Sequence, residues 1–121
     1  MAKSLCVLVD RGPYGSIQSA EALRHALAAV GKGWEVVLAL TGDAILTALP
    51  GQSPPAGEWV CLGETVAEFM HKGNGRAAVL VEKGALEARG LRASDLIQGT
   101  RASSLEEIAG ALAHCDRTLI F

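Results

Sequence analysis

The chain has 121 residues, of which 50% are hydrophobic, 4% aromatic and 20% charged, and 11 basic against 13 acidic side chains leave a formal net charge of −2. That apolar share excludes intrinsic disorder, and the length fits one domain, residues 1–121, around one core. The dispersed Lys and Arg residues leave no footprint for nucleic acid or an anionic membrane surface. No uncharged stretch approaches the roughly 18 apolar residues of a membrane span. Met1 to Cys6 lacks the apolar core and cleavage site of a signal peptide, so a cytoplasmic location is expected. The three widely spaced cysteines form no disulfide framework and agree with a reducing compartment.

Leu5 to Val9 is a short apolar run closed by Asp10-Arg11-Gly12-Pro13-Tyr14-Gly15, a strong turn signal. From Ile17, apolar residues recur at helical spacing (Ala20, Leu23, Leu27, Val30), with Gly31 as a stop. Trp34 to Leu40 reads as a strand, and Ala44 to Leu49 as a short helix ended by Pro50-Gly51. Gln52 to Gly63 is irregular. Thr65 and Glu68 stand at capping-box spacing and predict a helix that Gly73 ends. Ala77 to Val81 is continuously apolar, as in a strand covered on both faces. Gly84 to Arg89 predicts one or two helical turns, and Leu96 to Thr100 a weaker strand. Ser104 and Glu107 form a second capping box, opening a helix with Leu105, Ile108, Leu112 and Cys115 on one face; Thr118 to Phe121 is a last strand.

Alternating strands and helices predict an α/β fold, a three-layer α/β/α sandwich with a mostly parallel five-stranded sheet. With so few large rings the layers should approach closely, and the surplus apolar surface suggests a subunit interface. Ligands of such sheets sit beyond the carboxyl ends of the strands. The candidate cleft therefore gathers Gly12, Pro13, Tyr14, Gly15, Ser16, Thr41, Gly42, Asp43, Glu82, Lys83 and Thr100.

Gly12 to Ser16 joins a strand to a helix N-terminus, where free N–H groups can hold an anion; the same residues also suit a plain tight turn. Neither the dinucleotide fingerprint nor the P-loop matches. Cys6 lies within a strand and Cys115 on an apolar helix face, both suited to packing, whereas Cys61 sits in the irregular segment as a candidate accessible thiol. His25 and His114 fall two residues off the apolar stripes and His71 lies in a last helical turn, so no metal-ligand spacing arises and no cofactor is implied. Glu82 follows the most apolar strand, as a solvated strand end or as a carboxylate at the cleft rim.

Four blocks then line up. They are Gly12-Pro13-Tyr14-Gly15 with Glu21-Ala22-Leu23; Gly42-Asp43-Ala44-Ile45 running to Leu49-Pro50-Gly51-Gln52 and Pro54; Leu86 with Arg89-Gly90-Leu91; and Gln98-Gly99 through Leu112 to Cys115-Asp116-Arg117 and Phe121. In their order and spacing the chain resembles the DsrE/DsrF-like sulfur-relay family, the second block being most similar to its TusC branch and the fourth to its TusD branch. The resemblance implies a cytoplasmic subunit that assembles as a trimer or hexamer, with itself or with related sulfur-relay subunits. It also implies a persulfide-carrying cysteine seven residues before the Arg of the Arg-Gly pair, which here is Glu82, and in some members a second cysteine where this chain has Ala85.

A carboxylate forms no persulfide. The expectation is a non-catalytic assembling subunit, with Glu82 facing the first helix and accepting hydrogen bonds from the Gly12–Gly15 loop or pairing with Arg11 or Lys83. Two alternatives stand beside it: a homo-oligomer that binds a small molecule in this cleft, with Glu82 available as an acid or base, and a sulfurtransferase using another thiol such as Cys61.

Overall fold

Five strands, β1 (Ser4–Val9), β2 (Glu35–Leu40), β3 (Ala77–Glu82), β4 (Arg101–Ser103) and β5 (Arg117–Ile120), pair into one sheet of order β4-β3-β2-β1-β5. Every neighbouring pair is parallel. The structure is a computed structural model that describes residues 3–58 and 60–121. Met1, Ala2 and Trp59 lie outside the described residues, and with them part of the Met1–Cys6 and Gln52–Gly63 segments. Four helices complete the fold: α1 (Gln18–Gly31), α2 (Leu62–Gly73), α3 (Lys83–Ala88) and α4 (Leu105–His114).

The chain steps from β1 to β4 in one direction across the sheet, so the right-handed crossover rule puts α1, α2 and α3 on one face. The return from β4 to β5 runs the other way and places α4 on the opposite face. Side-chain alternation matches this division. Leu5, Val7, Val9, Leu38, Leu40 and Val81 pack with Ala22, Leu23, Val66, Phe69 and Leu86 in the main core. Cys6, Ala39 and Leu80 turn to Ile108 of α4. Both parities are apolar, which is why the strands read as continuous runs. The close approach expected of an aromatic-poor chain is visible in α1, whose fully buried Ala22 and Ala26 face the sheet.

Ser104 caps α4 as expected: its hydroxyl accepts the Glu107 N–H and the Glu107 carboxylate accepts the Ser104 N–H, both at 3.1 Å. The Thr65–Glu68 spacing misleads. Helix α2 starts earlier, with Cys61 as N-cap, and the Thr65 hydroxyl donates back to the Cys61 carbonyl from inside the first turns. Leu96 to Thr100 is no strand. The Ile97 N–H donates to the Ala48 carbonyl, the Thr100 hydroxyl to the Ile97 carbonyl, and Gly99 at φ 99° turns the chain into β4. Residues Gly42–Ala48 form a 3-10 helix where Ala44–Leu49 predicted a short helix. Leu105, placed by its spacing on the apolar face, is 60% exposed, because α4 lies on the sheet chiefly through Ile108. His25, expected on a solvent face, is half-buried with its ring 5.3 Å from that of Phe121.

Gly73 ends α2 where the helix meets the start of β3. A Cβ there would overlap the Cβ of Ala77 and stand 3.1 Å from Val30 Cγ2. Gly→Ala in a helix usually stabilises by about 1 kcal/mol. Gly73→Ala should instead destabilise by roughly 1–3 kcal/mol, because the strand opposite has no slack. Urea denaturation checks the sign, and a gain in stability would overturn the close-approach account.

Candidate functional site

Parallel pairing brings the ends of β1, β2 and β3 to one rim, and there the first group of candidate residues meets. The Gly42 N–H, just past β2, donates to Glu82 Oε1 at the end of β3 over 3.0 Å. Gly42 has φ 55°, a left-handed conformation that suits glycine, and its Cα lies close to the Asp10 carbonyl. Asp43 comes next and stacks against Gly12 of the first loop, where an added Cβ would stand 3.6 Å from Asp43 Cβ. Asp43 Oδ1 accepts from Arg89 Nη2 at 2.6 Å, while Arg89 Nη1 donates to the Ala85 carbonyl at 3.0 Å. The Thr41 hydroxyl donates to the Val9 carbonyl, which ties the β2 loop to β1.

Glu82 is thus satisfied by the β2 loop and not by the Gly12–Gly15 loop as expected. Arg11 pairs with its neighbour Asp10 at 3.7 Å, both side chains mostly exposed, and among the described residues Glu82 makes no ion pair with Arg11 or Lys83. The reason is register. The ends of β2 and β3 are adjacent, whereas β1 lies one strand further away. Lys83 and Ser16 are exposed. Thr100 leaves the group: it precedes β4, so it stands at the amino end of that strand instead of beyond its carboxyl end.

A second group forms around Tyr14. This residue adopts φ 65°, which is uncommon and strained for a bulky side chain. Its hydroxyl donates to Gln52 Oε1 at 2.6 Å and accepts the Leu62 N–H at 3.0 Å. Gln52 in turn donates Nε2 to the Thr47 and Leu49 carbonyls and accepts the Gly63 N–H. Tyr14 thereby holds the start of α2 and Gln52 fills the space beneath it. Burial pushes the Tyr14 hydroxyl pKa up; the Leu62 N–H opposes this, and Cys61 and Glu58 add to it. Half-buried Cys61 lines a 220 Å³ cavity with Gln52, Glu64 and Ile97.

Cys6 and Cys115 meet under α4, the first buried and the second half-buried. Burial, reinforced by Cys115, raises the Cys6 pKa from 9.0 to about 12. Burial also raises Cys115, opposed by contacts with Cys6 and Ser4. Both are packing thiols. Among the described residues no three His, Cys, Asp or Glu side chains converge as metal ligands, and no helix is long and apolar enough to cross a membrane. Gln52 and Arg89 are the site residues that sequence reasoning misses. Both enter there only as residues of the resemblance blocks, Arg89 in the Arg-Gly pair and Gln52 after the Pro50-Gly51 turn, with no structural role assigned.

A family model described as the DsrE/DsrF-like family matches residues 3–121. The uncharacterized protein MK0008 of Methanopyrus kandleri is 27% identical over 117 residues, 97% of this chain and 93% of that protein. The uncharacterized protein MJ0989 of Methanocaldococcus jannaschii is 29% identical over 115 residues, 95% of this chain and 96% of that protein. Among solved structures, the ychN protein from E. coli is similar at TM-score 0.85 and 29% identity, with 100% of both chains covered. MTH1491 from Methanobacterium thermoautotrophicum shares the fold at TM-score 0.74 and 11% identity, over 98% of this chain and 99% of that one.

Tyr14→Phe should destabilise the chain by roughly 1–3 kcal/mol, since it leaves the Leu62 N–H without a partner at a helix start. Denaturant unfolding measures it, and an unchanged midpoint would mean the hydroxyl is dispensable. The raised Cys6 pKa has a pH signature. From pH 9 upward the unfolded chain loses this proton, while the native chain keeps it until about 12. The contribution is therefore intact below pH 9 and is lost across that window, at up to about 1.4 kcal/mol per pH unit. Urea unfolding followed over this range should show a shallower decline in Cys6→Ala than in the unmodified protein; equal slopes would refute the assignment.

Proposed function

The chain belongs to the DsrE/DsrF-like family, and from that premise we propose that it is an assembling subunit of an intracellular sulfur relay that carries no sulfur itself. The observation that supports this reading is Glu82, whose carboxylate accepts the Gly42 N–H at 3.0 Å at the position where the family resemblance expects the persulfide-carrying cysteine. Sulfur transfer needs a thiolate that attacks the outer sulfur of a donor persulfide. A new S–S bond forms, the donor's S–S bond breaks, and the donor leaves as a thiolate. A carboxylate cannot hold sulfur this way, and here it is already engaged as a fixed anion. A charge-assisted bond of this kind contributes roughly 1–3 kcal/mol, which suits a residue that braces the rim.

The assembling role draws support from apolar surface that the single chain leaves open. Ile17, Val60, Leu105 and Ile120 are each at least half exposed. Trimers or hexamers of this chain, or mixed assemblies with related subunits in the cytoplasm, would cover them. A second reading, with sulfur on Cys61, rests on the half-buried position of that thiol in its 220 Å³ cavity.

Intact-mass analysis and peptide mapping after incubation with a small-molecule persulfide donor test both. Cys6, Cys61 and Cys115 should gain no sulfur atom (about 32 Da), whereas Glu82→Cys should gain one at residue 82. An adduct on Cys61 in the unmodified protein would replace the first reading with the second. Native mass spectrometry of the protein purified from its source cells should report a trimer or hexamer, of this chain alone or with related subunits, and a strictly monomeric protein would remove the assembling role.

A further inference from the structure

Helix α4 is held on its face of the sheet chiefly through Ile108, and a pair of thiols lies under its end. Cys6 of β1 is fully buried in that layer, and Cys115, the residue that follows α4, is half-buried against it. The chain beside both is clamped. The Ser4 N–H and hydroxyl donate to Asp116 Oδ2 at 2.9 and 3.1 Å, and the Asp116 N–H donates to the Ser4 carbonyl at 3.1 Å. The residue after Cys115 is thereby fixed to the residue two before Cys6, and the two thiols face each other with little left to order. Only one of them meets an opening to solvent. Cys115 lines a cleft of about 380 Å³ with Ser4, Glu35, Arg76 and His114, and Cys6 does not.

We propose that Cys115 is a modification site for low-molecular-weight disulfides such as oxidised glutathione, and that Cys6 resolves the adduct into a reversible Cys6–Cys115 disulfide. In the first step the Cys115 thiolate attacks one sulfur of the reagent. A Cys115–glutathione bond forms, the reagent's S–S bond breaks, and one glutathione leaves as a thiolate that takes up the proton Cys115 lost. In the second, Cys6 attacks Cys115 Sγ, the Cys6–Cys115 bond forms, and the other glutathione leaves with the proton from Cys6. Two protein thiols are oxidised and one glutathione disulfide is reduced to two thiols. Burial raises both thiol pKa values, so neither is a standing thiolate at neutral pH and the exchange is slow there. The order of attack follows from access, since the cleft reaches Cys115 alone. Cys61 lies at the start of α2 on the other face of the sheet and does not compete for either thiol. None of these residues belongs to the Glu82 rim, so the proposal is independent of the sulfur-relay reading.

The test incubates the folded, unmodified protein with oxidised glutathione for hours, alkylates the remaining thiols after denaturation, and maps the product with trypsin without reduction. Cleavage after Lys3, Arg11, Arg101 and Arg117 places Cys6 in the peptide Ser4–Arg11 and Cys115 in Ala102–Arg117. The two peptides should appear joined, with two hydrogens (about 2 Da) lost, and should separate after dithiothreitol. The joined product should run as a single chain on a non-reducing denaturing gel. Cys6→Ser should stop at one glutathione on Cys115, a gain of about 305 Da, and Cys115→Ser should leave Cys6 unmodified. The bond closes residues 6–115 into one loop, so the oxidised protein should unfold at a higher urea midpoint than the reduced protein. A missing joined peptide, a link to Cys61 or between two copies, a Cys6 that reacts without Cys115, or an unraised midpoint would each overturn the proposal.

Discussion

Everything at the candidate site depends on parallel strand pairing in a fixed register. Because β1, β2 and β3 run the same way, their carboxyl ends come to one rim, and the loops that follow must share it. Gly42 and Glu82 are 40 residues apart in the chain, yet they are neighbours because β2 and β3 are. The same constraint decides which loop Glu82 can reach. A slip of one residue in β3 would turn its carboxylate to the opposite face and send Leu80 to the main core and Val81 to the α4 side. The placement of the rim residues is therefore a consequence of the sheet register.

The reversal of direction after β4 produces the second property of the molecule, an unequal pair of faces. Three helices and the 3-10 segment Gly42–Ala48 cover one side, where Phe69, Leu23 and Ile45 are fully buried. The other side has α4 alone, which runs from the β4 edge toward β5 and buries only Ile108 completely enough to count as core. Leu8 and Val37 are left half-buried there, and Ile120 and Leu105 largely exposed. Cys6 is fully buried beneath this helix, and that burial is what raises its pKa.

The fold is legible in the sequence because the central strands β1, β2 and β3 are apolar on both parities and the helices are amphipathic. Ala77 to Val81 reads as a doubly covered strand because it is apolar throughout, and the Ser104–Glu107 capping box reads correctly because its reciprocal bonds are local. The failures share one cause, which is that a tertiary partner decides the outcome. Thr65 and Glu68 have capping spacing, but Tyr14, from 48 residues away, satisfies the Leu62 N–H and lets the helix begin earlier. Leu96 to Thr100 is apolar enough for a strand, but Ile97 bonds to the Ala48 carbonyl instead of to β3. The bracing role of Gln52 is invisible in the sequence, since its hydrogen bonds go to groups whose arrangement only the fold creates.

Two carboxylates at the carboxyl end of the sheet find partners within the chain. At the carboxyl end Asp43 is matched by Arg89 and Glu82 by the Gly42 N–H, and the solvent-exposed Asp43–Arg89 pair adds about 0–1 kcal/mol, so its effect is chiefly to hold the Arg-Gly turn against the β2 loop. By accepting the Gly42 N–H, the Glu82 carboxylate ties the end of β3 to the loop after β2 and helps hold the two strand ends in register.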